Sequence, residues 1–236
     1  HYSHIEEERL LRMFISQRPS ALIVAGIDQS TVARELLEDA GCPVVQIMEL
    51  GADPVDMLVG FSHLDAGRCA TQHLIDAGYQ RICFIGARMD PRSQRRMEGY
   101  RQAMQETGLF SEDLVTTTTT PSSIPLGSWL LAEALRKAPD IDAVFCNNDD
   151  LALGVLFESQ RRCIRVPDQM GISGFNDLDM MHAAFPSLTS VKTPRYQIGR
   201  RAITLVQQRL RGEETKERIV DLGFQLMPRS STQRKI

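Results

Sequence analysis

The side chains best placed to do chemistry lie at three corners where an apolar run hands over to a polar one. The first, Gly86-Ala-Arg-Met-Asp-Pro-Arg-Ser-Gln-Arg-Arg-Met-Glu-Gly-Tyr100, gathers Arg88, Arg92, Arg95 and Arg96 around the start of an expected helix, with Arg92 and Arg96 four apart on one face. Cations at a helix amino terminus oppose its dipole, so a bound anion such as a carboxylate, gripped by bidentate hydrogen bonds, would account for them. The competing reading is a solvated basic surface paired to Asp90 and Glu98. The second corner, Phe145-Cys-Asn-Asn-Asp-Asp150, offers Asn148 and Asp149 where a helix begins; ordinary N-capping explains one such residue but not the group. The third, Ser173-Gly-Phe-Asn-Asp-Leu-Asp179, presents Asn176, able both to donate to and accept from a hydroxylated ligand. His63, after Phe61 and Ser62, is a further candidate contact.

Those corners need elements to hold them. Short apolar runs at 21–25, 44–48, 57–61, 81–85, 114–119, 143–146, 170–175, 188–191 and 219–226 predict strands. Between them, helical spacing covers 5–15, 30–40, 64–77, 92–107, 125–137, 149–161 and 194–210, with Gly41, Gly78 and Gly108 as stops. Strict alternation implies an α/β protein with parallel sheets and helices on both faces, and ligands then sit beyond the carboxyl ends of the strands. At 236 residues with 42% hydrophobic content, two lobes are expected. Because the chain opens on a helix, the first strand of a lobe is expected to lie upstream of it. Trp129, Met97 and Met104 read as core, and His73 as a surface or packing residue.

Several functions are disfavoured. A net charge of -3 gives no diffuse basic surface for DNA. Five cysteines, odd in number and without a C-x-x-C pair, suggest neither disulfides nor zinc and read as small buried hydrophobes in a reducing cytosol. The Asp177/Asp179 loop lacks the spacing and terminal Glu of a calcium loop, and His63 and His73 are too far apart for one metal, so no metal or cofactor is expected. The phosphate-binding, dinucleotide-binding, nucleophile-elbow and H-E-x-x-H motifs are missing, so catalysis is not expected. No apolar run is long enough to span a membrane.

The residues resemble a known family in the following stretches: Gly60-Phe-Ser-His-Leu-Asp-Ala-Gly67, His73-Leu-Ile-Asp-Ala-Gly-Tyr79, Arg81-Ile-Cys-Phe-Ile-Gly86 and Arg96-Met-Glu-Gly-Tyr100. They continue with Asn148-Asp-Asp-Leu-Ala-Leu-Gly154, Val166-Pro-Asp-Gln-Met-Gly-Ile-Ser-Gly-Phe-Asn-Asp177 and Pro186-Ser-Leu-Thr-Ser-Val191. In this order they are similar to the effector-binding core of the LacI/GalR (lactose-repressor) family of bacterial transcription regulators. Phe175-Asn-Asp-Leu-Asp-Met-Met181, Thr193-Pro-Arg195 and the arginine corner resemble most the gluconate-utilisation repressor branch.

That resemblance implies two Rossmann-like lobes of the type I periplasmic-binding-protein kind, joined by three crossovers, with a small sugar or sugar acid in the cleft. It implies a cytoplasmic homodimer that reaches operator DNA through an N-terminal helix-turn-helix absent from this sequence. The lobes are expected at 1–62 plus 192–213 and at 63–191 plus 214–236. The family's effector-contacting arginine falls on Arg96, its aromatic after the first crossover on Phe61, and its polar pair on Asn148 and Asp149. The carboxylate that grips sugar hydroxyls falls on Asn176, a departure that removes repulsion toward an anionic effector such as gluconate. The alternatives are a periplasmic sugar-binding protein of a transporter and a sugar-modifying enzyme.

Overall fold

In a computed structural model the protein is described over residues 3–214 and 217–234. It divides into two compact units: His1–Ser62 with Pro194–Gly223, and His63–Thr193 with Phe224–Ile236, so the chain crosses between them three times.

The first unit opens with helix α1 (His4–Ser16), capped by the Ser3 hydroxyl accepting from the Glu6 N–H, as a short polar side chain at the N-cap should. Strand β1 (Leu22–Ala25), helix α2 (Thr31–Glu38), strand β2 (Val44–Ile47) and strand β3 (Met57–Gly60) follow. The strands pair in parallel, β1 with β2 and β2 with β3. Leu11, Ala33, Leu37 and Val44 close a small core beneath α1 and α2.

The second unit runs through α3 (His63–Asp76), β4 (Ile82–Gly86), α4 (Pro91–Glu106), β5 (Val115–Thr117), α5 (Ile124–Lys137), β6 (Ala143–Cys146), α6 (Asp149–Arg161), β7 (Gly171–Asn176), α7 (Asp179–Ala183) and β8 (Thr189–Lys192). Helix α8 (Arg195–Leu210) then returns to the first unit and packs on β2 and β3. Strands β4 and β6 of the second unit are apolar and fully buried, as expected of central strands covered by helices on both faces.

The expected single strand at 219–226 is two strands in two sheets. Strand β9 (Ile219–Asp221) runs parallel to β3, giving the order β1-β2-β3-β9. Strand β10 (Gln225–Met227) lies antiparallel on β8, giving β10-β8-β7-β6-β4-β5. Gly223, at φ +62 with its N–H bonded to the Asp221 carboxylate, makes the break. Residues 214 and 217–223 therefore belong with the first unit rather than the second, which moves the expected lobe boundary by about ten residues; positions 1–2, 215–216 and 235–236 lie outside the described residues.

Smaller expectations are also corrected. Trp129 is 56% exposed rather than core, and Met97 is only half-buried, whereas Met104 is buried. Among the cysteines only Cys83 and Cys146 are buried; Cys42 and Cys69 are partly covered and Cys163 is exposed. Helix α7, too short to show a period, was not apparent in the sequence.

Within the second unit the helices meet in two close crossings. A Cβ on Gly67 of α3 would stand 2.3 Å from the Arg96 carbonyl oxygen, and one on Gly99 of α4 would stand 2.1 Å from the Leu64 carbonyl oxygen. Gly127 and Gly154 allow the same between α5 and α6. The first crossing fixes how near the start of α3 comes to the first turns of α4.

Candidate functional site

Asp90 caps α4 by accepting from the Ser93 N–H, with Pro91 following it, so Arg92, Arg95 and Arg96 ride the first turns of that helix. Arg96 is nearly buried, and its guanidinium meets polar and aromatic partners. Its Nε donates to Nδ1 of His63 at 3.1 Å, and its Nη1 donates to the Asn147 carbonyl at 2.6 Å. The guanidinium lies over the Phe175 ring, 3.8 Å from the centroid, a cation–π stack that fixes its plane. His63 stacks on the same ring, centroids 5.8 Å apart. One aromatic at the end of β7 thus seats both the cation from α4 and the imidazole that opens α3.

Arg92, one turn earlier, is half-buried. Burial pushes its guanidinium below the ordinary range, and the Arg95 charge pushes it further the same way.

The corner at β6 is pinned by Asn147. Its Nδ2 donates to the Ala87 carbonyl at 3.0 Å and to Ser93 Oγ at 2.9 Å, while its Oδ1 accepts from the Ala87 N–H at 3.3 Å. Asn148 caps α6, accepting from the Leu151 N–H at 3.1 Å. Asp149 is fully buried: its Oδ2 accepts from the Leu178 N–H at 2.7 Å and its Oδ1 from Ser190 Oγ at 2.7 Å. Burial raises its carboxyl to about 6 against those bonds, which pull downward, and the neighbouring Asp177 charge raises it further.

At the end of β7, Asn176 and Asp177 both adopt left-handed backbone, φ +112 and φ +56. Successive positive φ values on residues with side chains are uncommon and concentrate where geometry matters to function. The Asp177 N–H donates to Ser190 Oγ at 3.1 Å.

Of the expected site residues, His63 opens α3, Arg92 and Arg96 lie in the first turns of α4, Asn148 caps α6, Asp149 begins it and Asn176 ends β7, all in the second unit, and His63 is joined directly to Arg96. Phe61 is buried and belongs to the first unit. Phe175, Asn147, Ser190 and Arg229 did not stand out in sequence. Phe175 and Asn147 sat inside corners already marked, beside the residues that were singled out. Ser190 and Arg229 carried no local signal.

The comparisons with known proteins agree with this geometry. Residues 71–232 match the family described as periplasmic binding protein-like domain. A regulator of Pseudomonas aeruginosa named "HTH-type transcriptional regulator GntR" is 41% identical over 98% of this chain and 68% of its own length. The Escherichia coli K12 regulator "IdnR" is 32% identical over 95% of this chain and 68% of its own length. The crystal structure of the transcription regulator GntR from Chromobacterium violaceum superposes with a TM-score of 0.95 at 41% identity, covering 99% of this chain and 86% of that one.

The chain belongs to the LacI family of transcriptional regulators. It is the effector-binding core of such a regulator, α/β in class with parallel-dominated sheets and a periplasmic-binding-protein-like fold. A transport protein of the same architecture is not what its relatives are. Among the described residues no helix is long and apolar enough to cross a membrane, and no cluster of three or more His, Cys, Asp or Glu side chains could hold a metal ion.

Proposed function

We propose that this LacI-family core senses an anionic sugar derivative, a sugar acid of the gluconate type, and passes its occupancy to operator DNA through a helix-turn-helix carried by the whole protein. The single observation that carries the reading is Arg96. It is nearly buried and seated on Phe175, with Nε and Nη1 held by His63 and Asn147, so its orientation is fixed in advance of any ligand. A guanidinium so ordered can present a planar fork to a carboxylate with little further loss of freedom.

Arg92, one turn before Arg96 on the same helix, supplies a second cation at this corner. Asn176 offers an amide where a carboxylate would repel that anion, and Asn148 offers another at the start of α6. Asp149 supports the site from behind, since its oxygens are taken by protein donors.

The core carries out no chemistry of its own; the effector favours one of two lobe arrangements and so changes DNA affinity. Exposed apolar side chains on α1 (Ile5, Met13, Phe14) and on the α5/α6 side of the second unit (Trp129, Phe157) fit the faces of a homodimer, a use that accounts for large apolar groups left in water. A regulator that reads DNA works in the cytoplasm.

The test is retention of a DNA duplex, selected from a random pool by the whole regulator, with and without gluconate. A change in DNA affinity of about fivefold or more, the lower end of ordinary allosteric coupling, is expected. No change with gluconate or any other sugar acid would refute the reading.

A further inference from the structure

We infer that Arg229, in the segment following β10, is a positioning residue for the effector: by holding the Asp177 carboxylate it fixes the left-handed turn from which Asn176 is presented. The inference rests on the reading of Asn176 as an effector contact.

The turn is unfavourable by itself, with Asn176 at φ +112 and Asp177 at φ +56, so its surroundings must impose it. Its backbone is held from one side: the Asp177 N–H donates to Ser190 Oγ at 3.1 Å, and the Leu178 N–H to Asp149 Oδ2 at 2.7 Å. Its side chain is held from the other. Arg229 Nη2 stands 2.7 Å from Asp177 Oδ1, both side chains largely buried, in an ionic contact bent away from a linear hydrogen bond.

Arg229 is itself immobilised. Its Nη1 donates to the Leu188 carbonyl at 2.8 Å and its backbone N–H to Thr189 Oγ1 at 2.8 Å. Two residues on, Ser231 Oγ donates to the Ile172 carbonyl at 2.6 Å and accepts from the Thr189 N–H at 2.8 Å, which ties the segment to both β7 and β8. The guanidinium therefore bridges a carbonyl just before β8 to the carboxylate just after β7.

Without it, Asp177 would be a covered carboxylate lacking a counter-charge, close to the buried Asp149, an arrangement a protein escapes by moving one of them. Relaxation of Asp177 toward solvent undoes the turn and withdraws Asn176. In this way a residue more than fifty positions later in the chain governs the shape of the site.

The experiment measures gluconate affinity by calorimetry on the whole regulator and on Arg229→Met, Arg229→Lys, Asn176→Ala and the Arg229→Met/Asn176→Ala double variant. Amide hydrogen exchange is followed at Asp177, Leu178 and Ile172 in the same proteins. We expect Arg229→Met to weaken gluconate about tenfold in the wild-type background and less than about twofold beside Asn176→Ala, with Arg229→Lys recovering most of the loss. Exchange at Asp177 and Leu178 should rise in Arg229→Met while Ile172, inside β7, stays protected. A purely structural role predicts the same loss in both backgrounds and faster exchange throughout the sheet, and that result would overturn the inference, as would unchanged affinity or unchanged exchange. If the wild type binds no sugar acid, the proposed function fails instead, and the exchange at Asp177 and Leu178 still decides whether Arg229 holds the turn.

Discussion

Arg96 Nε donates to His63 Nδ1 at 3.1 Å, and the two side chains share the Phe175 ring as a platform. For Nδ1 to accept, the neutral imidazole must carry its proton on Nε2, so the bond selects one tautomer. The arginine is thereby locked before any ligand meets it.

Arg96→Ala should weaken effector binding by about 2 kcal/mol or more, the scale of a charged hydrogen bond lost. Arg96→Lys should rescue little, because an ammonium can neither stack on Phe175 as a plane nor offer a fork. His63→Ala leaves the Nε donor without its acceptor and should cost about 1 kcal/mol. Calorimetry on the three variants checks the order; a lysine variant binding like wild type would count against a bidentate contact.

The buried carboxyl of Asp149 makes a statement about stability and pH. Its value is raised from 3.8 to about 6 in the folded protein, chiefly by burial. Below about pH 4 both folded and unfolded chains hold the proton; between about 4 and 6 only the folded chain does. Stability from this group is therefore lost as pH rises through that window, by up to about 3 kcal/mol. Denaturant unfolding of wild type and Asp149→Asn at several pH values should show the difference between them moving in favour of the variant across the window, whereas a difference that stays constant would mean Asp149 does not titrate there.

Two glycine substitutions should differ in sign. In Gly67→Ala the new Cβ would meet the backbone of Arg96, its carbonyl oxygen at 2.3 Å and its Cα at 2.8 Å. Backbone cannot give way cheaply, so a loss of about 1–3 kcal/mol is expected, together with weaker effector binding as Arg96 moves. Gly199 on α8 has nothing within 4 Å of such a Cβ, and Gly199→Ala should gain about 0.5–1 kcal/mol from helix propensity alone. Thermal unfolding of the two variants decides it; a neutral Gly67→Ala would mean α3 and α4 can separate freely.

Much of this arrangement was legible in the sequence because the relevant signals are local. Arg92, Arg96, Asn148 and Asn176 declared themselves by standing at strand ends where polar groups need a reason, and the alternation of elements fixed the fold class. What stayed hidden depends on long-range pairing. Ile219 and Leu226 read as one strand because both halves are apolar, and only the sheets they join separate them at Gly223. Trp129 read as core because bulk and apolarity are indistinguishable from core until the packing is known. Asp149 and Asn148 look alike as helix-start residues, but Ser190 and Leu178, about 29 to 41 residues away, bury one and leave the other half open. That the Arg96 guanidinium lies on the face of Phe175 is a pairing between α4 and β7, about eighty residues apart in the chain, which no short window of sequence reveals.

The most direct test of an effector site tuned to an anion is calorimetric titration of wild type and Asn176→Asp with gluconate and with glucose. The account predicts that wild type binds gluconate more tightly than glucose, and that Asn176→Asp weakens gluconate about tenfold or more, through like-charge repulsion beside Arg96, while glucose is held no worse. Glucose binding to wild type as tightly as gluconate, or a carboxylate at position 176 leaving gluconate affinity intact, would contradict it.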